Sequence, residues 1–346
     1  MLSARTERIL KLVVEEYIHG AVPVPSQKIV DDHSLGVSPA TIRNEMALLE
    51  REGYFVRPYS SAGSVPTDKG YRFYVESLTI LTLPEEEQRL ISHLFHQVER
   101  EFVEALHLAA DLMSQTAQNV AVVTVPRPVG CHFKHVELVS VQDYMILLIL
   151  VLSGANVRQK LISFEQNLTQ DELAVIANKL NARYSGMNAA HIVAKNEGLS
   201  PVEQGVTDCV MKIMEGEDQL EFEEPYLHGM QYMLGQPEFA QNKRMLGLME
   251  LVERRQLLQS IVPQDMRKRG VQVIIGKENK VEVIHDYSVI ISHYGLPGEA
   301  VGTIGVLGPT RMAYGRTIAT VAYLSSMLSE LVSELYKRQN HVKKAR

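Results

Sequence analysis

Tryptophan is absent from the 346 residues, cysteine occurs only twice, and aromatic side chains make up 6%. Two cysteines, Cys131 and Cys209, are too few for a disulfide framework and fit a reducing cytoplasm. Long hydrophobic runs are missing as well. The longest, Met145–Leu152, falls far short of the roughly 20 residues that a membrane-spanning helix needs. Residues 1–20 carry charges throughout and set Ile9, Leu10, Val13 and Tyr17 on one side, so they read as an amphipathic helix rather than a leader. A positive charge balance is lacking too. The net charge is −6, and residues 1–78 hold nine Lys/Arg against ten Asp/Glu. That balance argues against strong non-specific binding to nucleic acid, so any such binding has to come from local placement of charge and from pairing of chains.

Catalytic and metal-binding patterns are sparse. Cys131-His132 and His135 are metal-capable side chains at short spacing, but no second pair completes a zinc set. Gly302, Gly305 and Gly308 match neither the dinucleotide nor the Walker spacing, and no Lys-Ser/Thr follows them. Glycines in a twisted end strand explain them better, although Gly308-Pro309-Thr310 could receive an anion at a helix start. Glu223-Glu224 and His285-Asp286 have no nucleophile beside them. The 14 methionines are scattered, and the apolar positions of the helices read as core. No cofactor, no metal and no enzymatic activity are expected.

What is present begins with Ser26–Gly53. One helix runs from Ser26 to about His33, a turn contains Gly36, and a second helix starts with Ser38 as N-cap and Pro39 at its first position. That helix runs to about Glu52 and stops at Gly53. Ile42, Met46 and Leu49 share one face of it, and Ala40, Thr41, Arg43 and Asn44 lie off that face. This is the layout of a helix-turn-helix recognition helix, whose early polar residues reach base edges. An ordinary helical hairpin with a solvated face has the same two-helix pattern. A short strand at Tyr54–Arg57, a small-residue loop, a second strand at Ser64–Pro66 and a helix start at Thr67 then make a wing. There, hydroxyls and backbone N–H groups can meet phosphates.

The stretches GVSPATIRNEMALLEREGY and SSAGSVPTDKGYRFYV resemble the N-terminal signature of the HrcA family of heat-inducible transcription repressors, and the resemblance extends over most of the chain. Val301–Tyr314 is also similar to the last strand and helix start of GAF-like domains in bacterial regulators. Two departures stand out: Ser64 follows Ala62-Gly63 where the family usually has Arg, which removes a phosphate or groove contact, and Val22–Gln27 replaces the usual pattern before the motif. The resemblance implies a negative regulator of chaperone operons, a homodimer on the inverted-repeat CIRCE operator, with a GroEL-type chaperonin as partner and no membrane association. Thr41, Arg43 and Asn44 are the candidates for base readout. Ser38, Arg57, Ser60, Ser61, Ser64, Lys69 and Arg72 are the candidates for phosphate and wing contacts. Two other readings stay open: a regulator controlled by a small molecule in the GAF-like domain, and an enzyme domain fused to a head that no longer binds DNA.

The fold class expected is α+β multidomain, with an N-terminal winged helix-turn-helix and a GAF-like sheet domain that carries an inserted dimerisation domain. Residues 1–78 are the head. Residues 79–119 are a linker and one long connecting helix from Gln88 to about Asn119, since Leu90, Leu94, Val98, Phe102, Ala105, Leu108, Ala109 and Leu112 keep a helical period. Strand patterns at Ala121–Val125, His135–Val141, Met145–Leu152 and Val157–Phe164 read as an antiparallel meander. With residues 223–337, they assign 120–165 to the GAF-like domain. Thr169–Tyr184, with a capping box, and Pro201–Glu215 read as helices of an insert at 166–222. Pro237–Ser260 reads as helical, strands return at Val271–Ile275, Val289–Tyr294 and Ala300–Leu307, and a closing helix starts at Thr310. Residues 338–346 form a basic tail.

Overall fold

The computed structural model describes residues 2–344 except 34, 60–61, 80–81, 99–100, 129–130, 154–156, 196, 220–224, 240–242, 254–256, 263–269 and 297–299. Two compact units emerge: Met1–Pro126 with Glu223–Gly295 and Gly302–Arg346, and Arg127–Phe222 with Leu296–Val301.

The first unit opens with α1 (Ala4–Gly20), α2 (Ser26–Asp32) and α3 (Pro39–Arg51), then β1 (Phe55–Val56), β2 (Val65–Pro66) and α4 (Asp68–Glu76). Ser3, Ser38 and Thr67 cap α1, α3 and α4 with their hydroxyls, each accepting from the backbone N–H three residues on. The strands β1 and β2 pair antiparallel, Phe55 with Pro66 and Val56 with Val65. Ile9, Leu10, Val13, Val14, Ile29, Ile42, Met46, Leu49, Phe55 and Tyr71 are all buried and make one small core.

Two helices follow where one was expected: α5 (Glu85–Val98) and α6 (Phe102–Ala117). The apolar period runs on across the join, but Glu101 N–H donates to Val98 O at 2.9 Å, and Glu101 is extended at φ −118°. This tight i→i−3 closure ends one helix before the next begins.

The main sheet of this unit contains β3 (Val120–Val123). The chain then passes into the second unit through β4 (Arg127–Pro128), β5 (Phe133–Gln142), β6 (Met145–Leu152), β7 (Val157–Ser163), α7 (Gln170–Tyr184), α8 (Ala189–Ala194) and α9 (Pro201–Gln219). It returns with β8 (Tyr226–His228), α10 (Met230–Leu234), α11 (Lys243–Glu253), α12 (Leu257–Ile261), β9 (Gln272–Ile275), β10 (Tyr287–Leu296), β11 (Ala300–Pro309) and α13 (Tyr314–Lys344). The strand order is β8-β3-β11-β10-β9; β3 pairs antiparallel with both β8 and β11, and β9 with β10. Val120, Val122, Phe239, Leu248, Tyr287, Val289, Ile291 and Leu307 fill one side of it. The helical reading of Pro237–Ser260 resolves into a single 3-10 turn at Pro237–Phe239, then α11 and α12.

In the second unit β5, β6 and β7 form their own three-stranded antiparallel sheet. The meander therefore belongs with the helices expected to form the insert, and the unit begins at Arg127 rather than near 166. Its core joins Phe133, Val136, Leu138, Leu148 and Leu150 to Leu173, Leu180, Tyr184, Val206 and Met214 of α7 and α9. The outer edge of β5 is covered by two side-chain amides. Asn181 accepts from Val136 N–H at 2.7 Å and donates to Val136 O at 2.9 Å, while Gln170 accepts from Ser140 N–H and donates to Leu138 O, both at 2.9 Å. Such pairing protects an edge from adding another strand. β6 is apolar throughout yet buried only at alternate residues. Met145, Leu147, Ile149 and Val151 lie on the other face, where Val141, Val157 and Leu161 are 50%, 47% and 55% exposed.

Candidate nucleic-acid interface

The start of α3 is built from the sequence upward. Gly36 takes φ +68° in the turn. Ser38 is extended, and its Oγ accepts from Thr41 N–H at 3.2 Å and lies 2.9 Å from Thr41 Oγ1. Ile42, Met46 and Leu49 face inward, so the helix presents Ser38, Ala40, Arg43 and Asn44 to solvent, with Thr41 half-buried. Arg43 and Asn44 make no ion pair or side-chain hydrogen bond among the described residues.

Charge on the same helix is arranged in their favour. Glu45 is held from behind: Arg5 donates to its Oε1 from Nε at 3.1 Å and Nη2 at 2.9 Å, and Thr6 Oγ1 donates to its Oε2 at 2.8 Å. Its negative charge is thereby matched next to the two exposed polar residues. Nothing in the local sequence signals this, because Arg5 lies in α1. Glu50 pairs with Arg57 Nε at 3.1 Å.

A second ionic cluster ties α2 to α1. Glu16 meets Lys28 Nζ at 2.6 Å and His33 Nε2 at 3.1 Å. The Lys28 ammonium bonded to it, helped by His33, holds the Glu16 carboxyl below the usual carboxylate range against the opposing effect of burial, and Glu16 raises Lys28 in turn.

The expected phosphate contacts divide. Arg57 is half-buried and lines a recess of about 210 Å³ together with Arg43, Ser26 and Ser64. Lys69 is exposed, but its Nζ donates to Glu52 O at 2.7 Å at the end of α3 and sits 4.2 Å from the Tyr54 ring centre. It satisfies a helix-end carbonyl. Arg72 points to the sheet. Its Nε donates to Glu278 Oε1 at 2.8 Å, and its Nη2 donates to Val273 O at 2.7 Å and also to Glu278 Oε2. One turn earlier Asp68 accepts from Lys277 N–H at 3.0 Å. Arg72, a groove candidate in the sequence, thus joins Asp68 in holding α4 against β9 and the turn after it. Ser64 is 1% exposed rather than standing on an outer loop. Its backbone bridges Val24, in the segment that departs from the family pattern. Ser60 and Ser61 lie outside the described residues.

Elsewhere, no group of three or more His, Cys, Asp or Glu able to hold a metal occurs among the described residues. No described helix is long and apolar enough to cross a membrane.

Comparison with known proteins agrees with this architecture. Residues 103–318 match the family model described as HrcA protein C terminal domain. The chain is 51% identical to a heat-inducible transcription repressor HrcA of Dehalococcoides mccartyi (strain ATCC BAA-2266 / KCTC 15142 / 195), over 97% of each chain. It is 42% identical to the protein of the same name from Herpetosiphon aurantiacus, over 97% of this chain and 96% of the relative. A crystal structure described only as a hypothetical protein superposes with a TM-score of 0.58 at 22% identity, covering 96% of this chain and 99% of the other. That likeness supports the mixed helix-and-sheet fold.

Proposed function

The chain belongs to the HrcA family of heat-inducible transcription repressors, and from that premise we propose that it binds an inverted-repeat CIRCE operator as a homodimer in the cytoplasm and releases it on heating. The observation that carries the reading is the outer face of α3. Arg43 and Asn44 stand exposed and unpaired among the described residues, on a helix capped by Ser38 and anchored by Ile42, Met46 and Leu49. In this reading α1–α3 and the β1–β2 ribbon are a winged helix. Thr41, Arg43 and Asn44 face base edges, Arg43 taking guanine acceptors and Asn44 adenine. Ser38, Arg57 and the loop of Ser60 and Ser61 lie near phosphates.

A dimer would set two such helices in successive major grooves, about 34–36 Å apart. It would also supply the avidity that a head without net positive charge needs. The open face of the β5–β6–β7 sheet supports this, because Leu147 and Ile149 are only half-buried at the centre of an apolar stripe. A twofold contact between two such faces would cover it. The β8–β3–β11–β10–β9 sheet is then the GAF-like domain. Release on heating follows if warming lowers the fraction of competent repressor, and a GroEL-type chaperonin that rescues the unfolded fraction would restore repression.

The test is a gel-shift titration with a CIRCE duplex beside a scrambled duplex, across temperature and with and without chaperonin. Specific binding lost on warming and recovered with chaperonin is the expected result. A folded dimer that does not distinguish the two duplexes would refute the operator assignment.

A further inference from the structure

The recess beside α3 contains polar groups that base readout does not employ. It measures about 210 Å³ and lies between α3, the Pro25–Ser26 segment and the loop leading to β2. Arg43, Arg57, Ser26 and Ser64 line it with Val24 and Met46, and no acidic side chain does among the described residues.

Its wall is fixed by close backbone packing. Ser64 N–H donates to Val24 O at 2.8 Å, and Val24 N–H donates to Ser64 O at 2.9 Å. A Cβ at Gly63 would stand 2.4 Å from the Val24 carbonyl carbon and 2.6 Å from Pro25 N, so only glycine lets the loop lie this close. The Ser64 hydroxyl is buried with no hydrogen-bond partner among the described residues. A buried hydroxyl in that condition is destabilising unless something binds it. Among the described residues Arg57 has its Nε contact with Glu50 as its one ionic partner, and Arg43 has none. The Arg57 guanidinium and a hydroxyl donor on one concave surface, with the Arg43 charge at its edge, suit a tetrahedral oxyanion.

We propose that this recess seats a single phosphate group, and that its source is the backbone of the bound operator; the second part rests on the DNA-binding reading above. Arg57 and the Ser64 hydroxyl donate to its oxygens, with Arg43 at the helix-side wall. A phosphate held at this point fixes the register of α3 along the groove, next to the residues that read bases.

The test uses the full-length protein, its Ser64→Ala and Arg57→Gln variants, and two probes. The first is a set of CIRCE duplexes, each with a single neutral methylphosphonate at a different backbone position. The second is inorganic phosphate at constant ionic strength. One methylphosphonate position per half-site is expected to weaken the wild type about tenfold, and to have little effect on Ser64→Ala, which has already lost the contact. Inorganic phosphate is expected to compete with the duplex on the wild type more strongly than on either variant. If every methylphosphonate that weakens the wild type weakens both variants by the same factor, the backbone source is overturned. If phosphate also raises the melting temperature of all three proteins equally, the seat itself is overturned. If no duplex binds specifically but phosphate stabilises the wild type over both variants, the operator reading falls while the seat stands, as a site for free phosphate.

Discussion

Replacing Arg72 with Ala should loosen the α1–α4 segment from the sheet without unfolding either. Arg72 makes two charge-assisted hydrogen bonds to Glu278 and one to the Val273 carbonyl. Hydrogen bonds to charged partners are worth about 1.5–3 kcal/mol when shielded. Here the two side chains are 28% and 38% exposed, so solvent screening brings the pair down to about 1–2 kcal/mol. Glu278 is not left wholly unpaired, since it also accepts from Ile275 N–H at 2.8 Å. A change of one to two kcal/mol is a factor of about 5–30 in an opening equilibrium. The assay is native-state hydrogen exchange, read at amides of β9 and of α4. Arg72→Ala should raise exchange there by that factor, Glu278→Gln by somewhat less, and the double variant by no more than Arg72→Ala alone. Exchange unchanged in Arg72→Ala, or strictly additive effects in the double variant, would refute the view that this pair holds the segment in place.

Arg43→Ala should weaken specific operator binding by about 1–3 kcal/mol while leaving binding to a scrambled duplex nearly unchanged; equal loss on both duplexes in a gel shift would remove Arg43 from base readout. Glu16 has a lowered folded pKa, so the unfolded chain binds more protons in the acid range. Its contribution is present above its ordinary value of 4.5 and is lost as pH falls through the folded value. Glu16→Gln should therefore flatten the acid limb of the stability–pH profile below about pH 4.5, and an unaltered limb in urea titrations would contradict the Lys28–Glu16 assignment. Leu147→Lys places a charge in the apolar stripe of the open sheet face, between Val139 and Leu161 of the neighbouring strands. If two copies meet there, burying an unpaired ammonium opposes association by several kcal/mol, and sedimentation at micromolar concentration should show monomers. A dimer of unchanged affinity would place the contact elsewhere.

Much of the local structure was legible because its causes are local. Ser38 with Pro39, and Thr169 with Glu172, announce helix starts through bonds that span three residues, and the structure has both caps. Gly36 likewise sits in the left-handed conformation its turn requires. The features that were not legible depend on partners far away in sequence. Met145–Leu152 reads as a strand of the GAF-like domain, yet it joins a separate three-stranded sheet, because pairing with distant strands, not composition, decides which sheet a strand joins. Lys69 and Arg72 are candidates for phosphate contacts in the sequence, which does not show Glu52 and Glu278 beside them. The recess at Ser64 was invisible for the same reason: its walls come from residues 24–26, 43, 46, 57 and 62–64, which only the fold assembles.

The Arg72–Glu278 pair also links two stretches of gene that otherwise drift apart. Its members are separated by 206 positions, and Asp68 fits against Gly276 so closely that a Cβ there would stand 2.3 Å from a carboxylate oxygen. A substitution in α4 that suited a changed operator would be filtered first by the loop after β9. The head is therefore not a freely exchangeable module. A chimaera carrying α1–α4 from a distant relative should need positions 276–278 from the same donor, and substitutions at 72 and 278 should be inherited together.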